Sequence, residues 1–148
     1  YGLVGSEMCI RDRNSVAAPA LRVTYHDPCH LARSQGIRKQ PRILLAAVPG
    51  VEFIEMSIPD LCCGGAGSFA ITHPELSEMV GKKKGEAIAA TGASMVASGC
   101  PACMMQLLAI VRREKLPVQV VHPVELLARA YGAEAEAASG REARDAAG

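Results

Sequence analysis

The chain has 148 residues, a net charge of +1, 49% hydrophobic and 21% charged residues. That length can bury a core without staples, and the balanced charge excludes a basic nucleic-acid footprint or a solvating acidic block. With 3% aromatic residues and no Trp, the stacking platforms of single-strand binders are missing, and no apolar run reaches the roughly 18 residues that cross a bilayer.

Residues 1–13, YGLVGSEMCIRDR, lack the long apolar stretch and cleavage site of a secretory signal. The word GSEMCIRDR resembles translated sequencing-adapter sequence, so residues 1–20 are expected to be a non-native or disordered leader, and Cys9 leaves the functional argument with them. Leu21–His26, LRVTYH, reads as a strand running into DPCH. Arg42–Val48 reads as a short helix after Pro41, stopped by Pro49-Gly50. Val51–Met56, VEFIEM, alternates with period two and is expected to be a strand leading to the loop LCCGGAG at 61–67.

A long helix opens at His73-Pro74 and runs through Ala90. Pro74 suits its first turn, Glu75 and Glu78 its positive end, and Gly92 its stop. Ala93–Ser98 is a strand, Gly99-Cys100-Pro101 breaks it, and Ala102–Glu114 is a helix. Val118–Val121 is a further strand and Pro123–Tyr131 a helix ended by Gly132. Residues 133–148 show no apolar periodicity and are expected to be a flexible tail. Strands alternating with helices predict an α/β fold, a small open parallel sheet of about four strands flanked by helices, in the order 2-1-3-4.

On that skeleton Cys29 follows the first strand, Cys62-Cys63 the second, and Cys100 and Cys103 the third. Ligands of an open parallel sheet bind outside the carboxyl ends of its strands, so all five thiols are expected at one edge. For a cytoplasmic protein, the expectation here, cysteines in this number mean metal or redox chemistry more often than disulfides. The start of the third helix favours thiolate at Cys100 and Cys103. Five thiolates exceed a tetrahedral zinc site and an ordinary 4Fe–4S cube, so either one is spare or the group is a larger iron–sulfur assembly. Gly64 and Gly65 would let the backbone approach an inorganic core and offer N–H groups to it.

Other residues have plainer readings. His26 is expected to be a hydrogen-bonding residue at a strand end, and His73 a cap. His30 and His122 could reach the same edge. Asp27-Pro28 is read as the turn into Cys29. One of Met104 and Met105 should line a pocket wall and the other pack in the core. Lys82–Lys84 is read as a solvated helix face.

The pattern Cys29, Cys62-Cys63-Gly64, Cys100-x-x-Cys103 resembles the cysteine-rich CCG domain over about residues 21–132, and the words HDPCHLAR and HPVELL are similar to its glycolate oxidase and lactate-utilisation branch. The resemblance implies that Cys29, Cys62, Cys63, Cys100 and Cys103 hold a 4Fe–4S cluster of non-cubane form, with zinc as the alternative occupant. It also implies an electron-transfer domain from the C-terminal portion of a longer oxidoreductase subunit. The partners it implies are a flavoprotein that oxidises a 2-hydroxy acid and a ferredoxin-type domain, with a peripheral place at the inner membrane through them. Resemblance to heterodisulfide reductase implies a different role, cleavage of a disulfide at the cluster.

Overall fold

A computed structural model describes residues 20–132. The leader, Cys9 and the 133–148 tail lie outside the described residues. The elements run β1 (Leu21–Tyr25), α1 (Cys29–Ala32), α2 (Lys39–Ala47), β2 (Val51–Phe53), α3 (Phe69–Thr72), α4 (Pro74–Thr91), β3 (Met95–Ala97), α5 (Pro101–Arg113) and β4 (Gln119–Val121). A last helix, α6, covers 123–132.

The sheet is four-stranded and wholly parallel, in the order β2-β1-β3-β4, which is the expected α/β topology. Side chains alternate across a strand, and β3 uses this fully. Met95 and Ala97 face one core with Val23, Tyr25, Leu45, Val121 and Leu126, which brings α2 and α6 to that side. Val96 faces the other with Met56, Cys63, Ala87, Ile88, Leu107 and Ile110, which brings α4 and α5. Covering both faces is what a parallel sheet requires.

Several boundaries differ from expectation for identifiable reasons. β2 ends at Phe53 rather than Met56. Ile54 still donates its N–H to the Val23 carbonyl, but Glu55 then turns to Arg42 and Met56 drops into the core. α2 starts at Lys39, ahead of Pro41, because proline in a first turn lacks only an N–H that has no partner there. The four-residue helices α1 and α3 are too short to carry a periodic signal. Gly92 ends α4 with φ +60°, the left-handed cap expected of it.

The lysine run is a correction. Lys82 and Lys83 are exposed, but Lys84 is fully buried. It shares the inner face of α4 with Ser77, Gly81, Gly85 and Ile88. A side chain at Gly81 or Gly85 would meet Ile110 of α5 at 3.1 Å, so the small residues let the two helices close together and the lysine is carried in with them.

Candidate metal centre

The three loops that leave β1, β2 and β3 deliver five free cysteines to one edge of the sheet. Cys63 is 2% exposed and lies in the core between β3, α4 and α5. Cys100 is buried and Cys103 half-buried, at the start of α5. Cys29, which opens α1, and Cys62 are exposed. The edge thus has a buried inner set and an exposed rim.

The ligand atoms of Cys63, Cys103 and His26 lie within 4.8 Å of one another. The expected strand-end role of His26 is present, since its backbone N–H bonds the Ala97 carbonyl. Its ring is nevertheless in the sulfur cluster. The imidazole is buried and its Nδ1 has no hydrogen-bond partner. A buried ring nitrogen without a partner costs free energy, so this atom calls for a bridging water or another hydrogen-bond partner. Cys100 stands next to this set at the N-cap of α5, three residues before Cys103. Cys29 and Cys62 stand outside the 4.8 Å group.

The two inner thiols ionise unequally. The S–H of Cys103 donates to Cys63 and holds the Cys63 thiol well below its usual value, helped by His26 and the Gly65 N–H and opposed by burial. The same hydrogen bond, then burial and the Cys63 charge, push Cys103 up. Of this pair Cys63 is therefore the thiol that ionises, and thiolate is the form that binds metal.

The glycine loop is fixed from behind. The Gly64 N–H donates to Cys62 Sγ at 3.3 Å. The missing side chains serve packing. A Cβ on Gly64 would meet the Ser77 carbonyl oxygen at 2.7 Å, and one on Gly65 would meet Gln106 Cβ at 2.7 Å. Ser77 Oγ donates to the Gly64 carbonyl, and Gln106 Nε2 donates to Ser77 Oγ. The loop is thereby clamped between α4 and α5. Gly64 also has φ +84°. Gly64→Ala is expected to cost about 2–4 kcal/mol, combining left-handed strain with overpacking. Gly67→Ala, at φ +52° in open space, should lose only about 1–2 kcal/mol. Urea unfolding of the two variants checks the difference.

The remaining sequence candidates fall as follows. His30 is exposed on α1. His122 caps α6: its Nδ1 accepts the Val124 N–H and its backbone N–H donates to Glu125 Oε1. His73 holds the cap position of α4 without a side-chain cap bond; its ring stacks on Phe69 and bonds Thr72 Oγ1. Met105 is 75% exposed and Met104 half-buried, so neither packs in the core. Asp27 does more than make a turn. It is buried, and both its oxygens take Arg42, at 2.9 and 3.0 Å. Arg42 also grips Glu55 and lies 5.8 Å from the Tyr25 ring centroid. This network, which the sequence reading missed, anchors the β1 end just before Cys29.

Comparison with known proteins agrees with the cysteine pattern. The family model of the cysteine-rich domain, CCG, matches residues 23–108. The fumarate reductase (CoM/CoB) subunit of Methanothermobacter marburgensis that this chain matches is 43% identical over 112 residues, 75% of this chain and 23% of that protein. Lactate utilization protein A of Oceanobacillus iheyensis is 39% identical over 106 residues, 72% of this chain and 43% of that one. The matching subunit of the dihydromethanophenazine:CoB--CoM heterodisulfide reductase of Methanosarcina mazei is 37% identical over 115 residues, 76% and 28% of the two chains. The chain thus spans less than half the length of each of these relatives. It belongs to the family of the cysteine-rich CCG domain.

Proposed function

We propose that this chain is the iron–sulfur cluster-binding, electron-transfer domain of an oxidoreductase complex. The observation that carries the reading is the convergence of free cysteines from three loops on one sheet edge, with donor atoms of Cys63, Cys103 and His26 within 4.8 Å of one another. The donor set is soft sulfur, which suits iron–sulfur clusters. Cys29, Cys62, Cys63, Cys100 and Cys103 would hold the cluster. Gly64 and Gly65 would offer N–H groups to its sulfurs. Such a cluster, when bound, supplies single-electron transfer.

The chain's own residues prepare that chemistry. α4 and α5 keep water from Cys63, the Asp27–Arg42 pair fixes the approach to Cys29, and the clamped glycine loop holds Cys62 and Cys63 in place. The domain itself performs no bond chemistry on the organic substrate. That substrate is a 2-hydroxy acid such as lactate or glycolate, a choice the relative named for lactate utilization supports for lactate; its oxidation belongs to a flavoprotein partner, linked to this domain through a ferredoxin-type domain. The complex works in the cytoplasm. Among the described residues no helix is long and apolar enough to cross a membrane.

A second reading, disulfide reduction at the cluster itself, is favoured by the relative named as part of a heterodisulfide reductase. A zinc module is the third, because a mixed nitrogen and sulfur set also suits zinc. Iron, zinc and acid-labile sulfide per chain, measured on anaerobically prepared protein with its electron paramagnetic resonance spectrum, separate them. Iron and sulfide in near-stoichiometric amounts are expected. Zinc without sulfide would make the domain structural, and thiol–disulfide turnover by the loaded domain would favour the second reading.

A further inference from the structure

Lys84 is fully buried, and a buried ammonium without a counter-ion is expensive. Its Nζ donates to the carbonyls of Ile58 and Pro59, at 2.7 and 3.2 Å, and lies 3.7 Å from Met56 Sδ. None of these carries charge, and among the described residues no carboxylate forms an ion pair with it. The two carboxylates whose charges reach it, Asp27 and Asp60, are each taken by an arginine, Arg42 and Arg38. The other anion in range is the thiolate of Cys63.

The placement is specific. The Pro59 carbonyl accepts from both Lys84 and the backbone N–H of Asp27, so the lysine is tied to the strand end that leads to Cys29. Segment 57–61, which it holds, runs directly into Cys62-Cys63. Met56 and Cys63 share one core cluster with Ala87 and Ile88 of α4. One turn before Lys84, Gly81 backs onto the Cys63 carbonyl.

We propose that the ammonium of Lys84 is the built-in counter-charge of the metal centre, setting the reduction potential of the bound cluster from behind Cys62-Cys63 without touching it. This rests on the cluster reading above. A cluster held by several thiolates is anionic and becomes more so on reduction. A fixed positive charge in a medium of low dielectric favours the reduced form. Burial pulls Lys84 down to about 8, while Cys63 and the other nearby anions pull it back up, so it is charged at neutral pH.

The test is a redox titration of the anaerobically loaded full chain, followed by electron paramagnetic resonance, for wild type, Lys84→Gln and Lys84→Arg. Gln keeps a donor for the two carbonyls and loses the charge; Arg keeps the charge. The expected result is equal iron and sulfide in all three. At fixed potential the reduced-to-oxidised ratio falls about tenfold or more in the Gln variant, which is about 59 mV for one electron, and returns in the Arg variant. Lys83→Gln, on the exposed face, leaves the ratio unchanged because solvent screens it. A loaded Gln variant with the wild-type midpoint overturns the proposal, as does an equal shift in Gln and Arg. If the Gln variant fails to load, an Arg variant that loads with the native midpoint supports it, and one that stays empty reduces Lys84 to a helix-to-loop staple. Wild-type protein with zinc and no iron defeats the cluster reading itself.

Discussion

Arg42→Met is expected to destabilise the fold by about 3–5 kcal/mol, the cost of leaving one member of a buried ion pair alone. Asp27 has a side chain 1% exposed, and Arg42, 21% exposed, meets both its oxygens. The bidentate geometry is the strong form of this interaction. The hydrogen bonds to Glu55 and then Asp27 raise the guanidinium above its already high value, so the positive charge is present at every accessible pH. Removing it strands the Asp27 carboxylate beside the β1 end. The double variant Asp27→Asn/Arg42→Met should regain most of the loss, because a neutral amide tolerates burial better than an unpaired charge. Urea midpoints of the single and double variants measure both effects. A single variant within about 1 kcal/mol of wild type would show that solvent reaches Asp27.

Cys63→Ser is expected to reduce bound iron and sulfide at least tenfold, on the order of the loss seen when a metal site is disturbed. Cys63 is the most buried of the five thiols, and Cys103 holds its thiol well below the usual value. A serine hydroxyl there does not ionise at neutral pH and presents a hard oxygen in place of a soft sulfur. The effect should extend to folding, because metal binding free energy is also folding free energy. The loaded wild type should therefore melt well above the variant, and the two metal-free proteins should melt close together. Cys9→Ser should leave cofactor content unchanged. Equal content in Cys63→Ser and Cys9→Ser would remove the ligand assignment.

The sheet was legible because each strand is a short β-rich run between helical segments, and parallel order follows from that alternation. The convergence of thiols followed from the same rule. What was hidden depended on contacts between distant residues. The buried face of α4 is made of Ser77, Gly81, Lys84, Gly85, Ala87 and Ile88, and two apolar side chains confined to its last turns leave a weak periodic signal. Lys84 therefore looked like one more solvated lysine. The Asp27–Arg42–Glu55 network joins β1, α2 and the segment after β2, and no local spacing announces it. His26 gave an ambiguous sign, since strand ends often carry histidine for backbone bonding; only the packing of Cys63 and Cys103 around its ring separates the two roles. The glycines were read as permitting close approach to an inorganic core; that a Cβ there would also meet Ser77 and Gln106 depends on the packing of α4 and α5 and has no local sign.

The wide separation of His26, Cys63 and Cys103 along the chain also dictates an order of events during folding. Each helix can form from neighbouring residues, but no short segment contains the inner donor set. The loops must close and β1 must find β2 and β3 in parallel register first, which is slow because contacts between distant segments repay the entropy of loop closure only at the end. A nascent chain can therefore offer a passing metal ion only local fragments of the set: His26 with Cys29, the Cys62–Cys63 pair or the Cys100–Cys103 pair. The complete donor set exists only once the sheet has assembled, so the fold itself acts as a timer that withholds the site until the surrounding core can keep it dry.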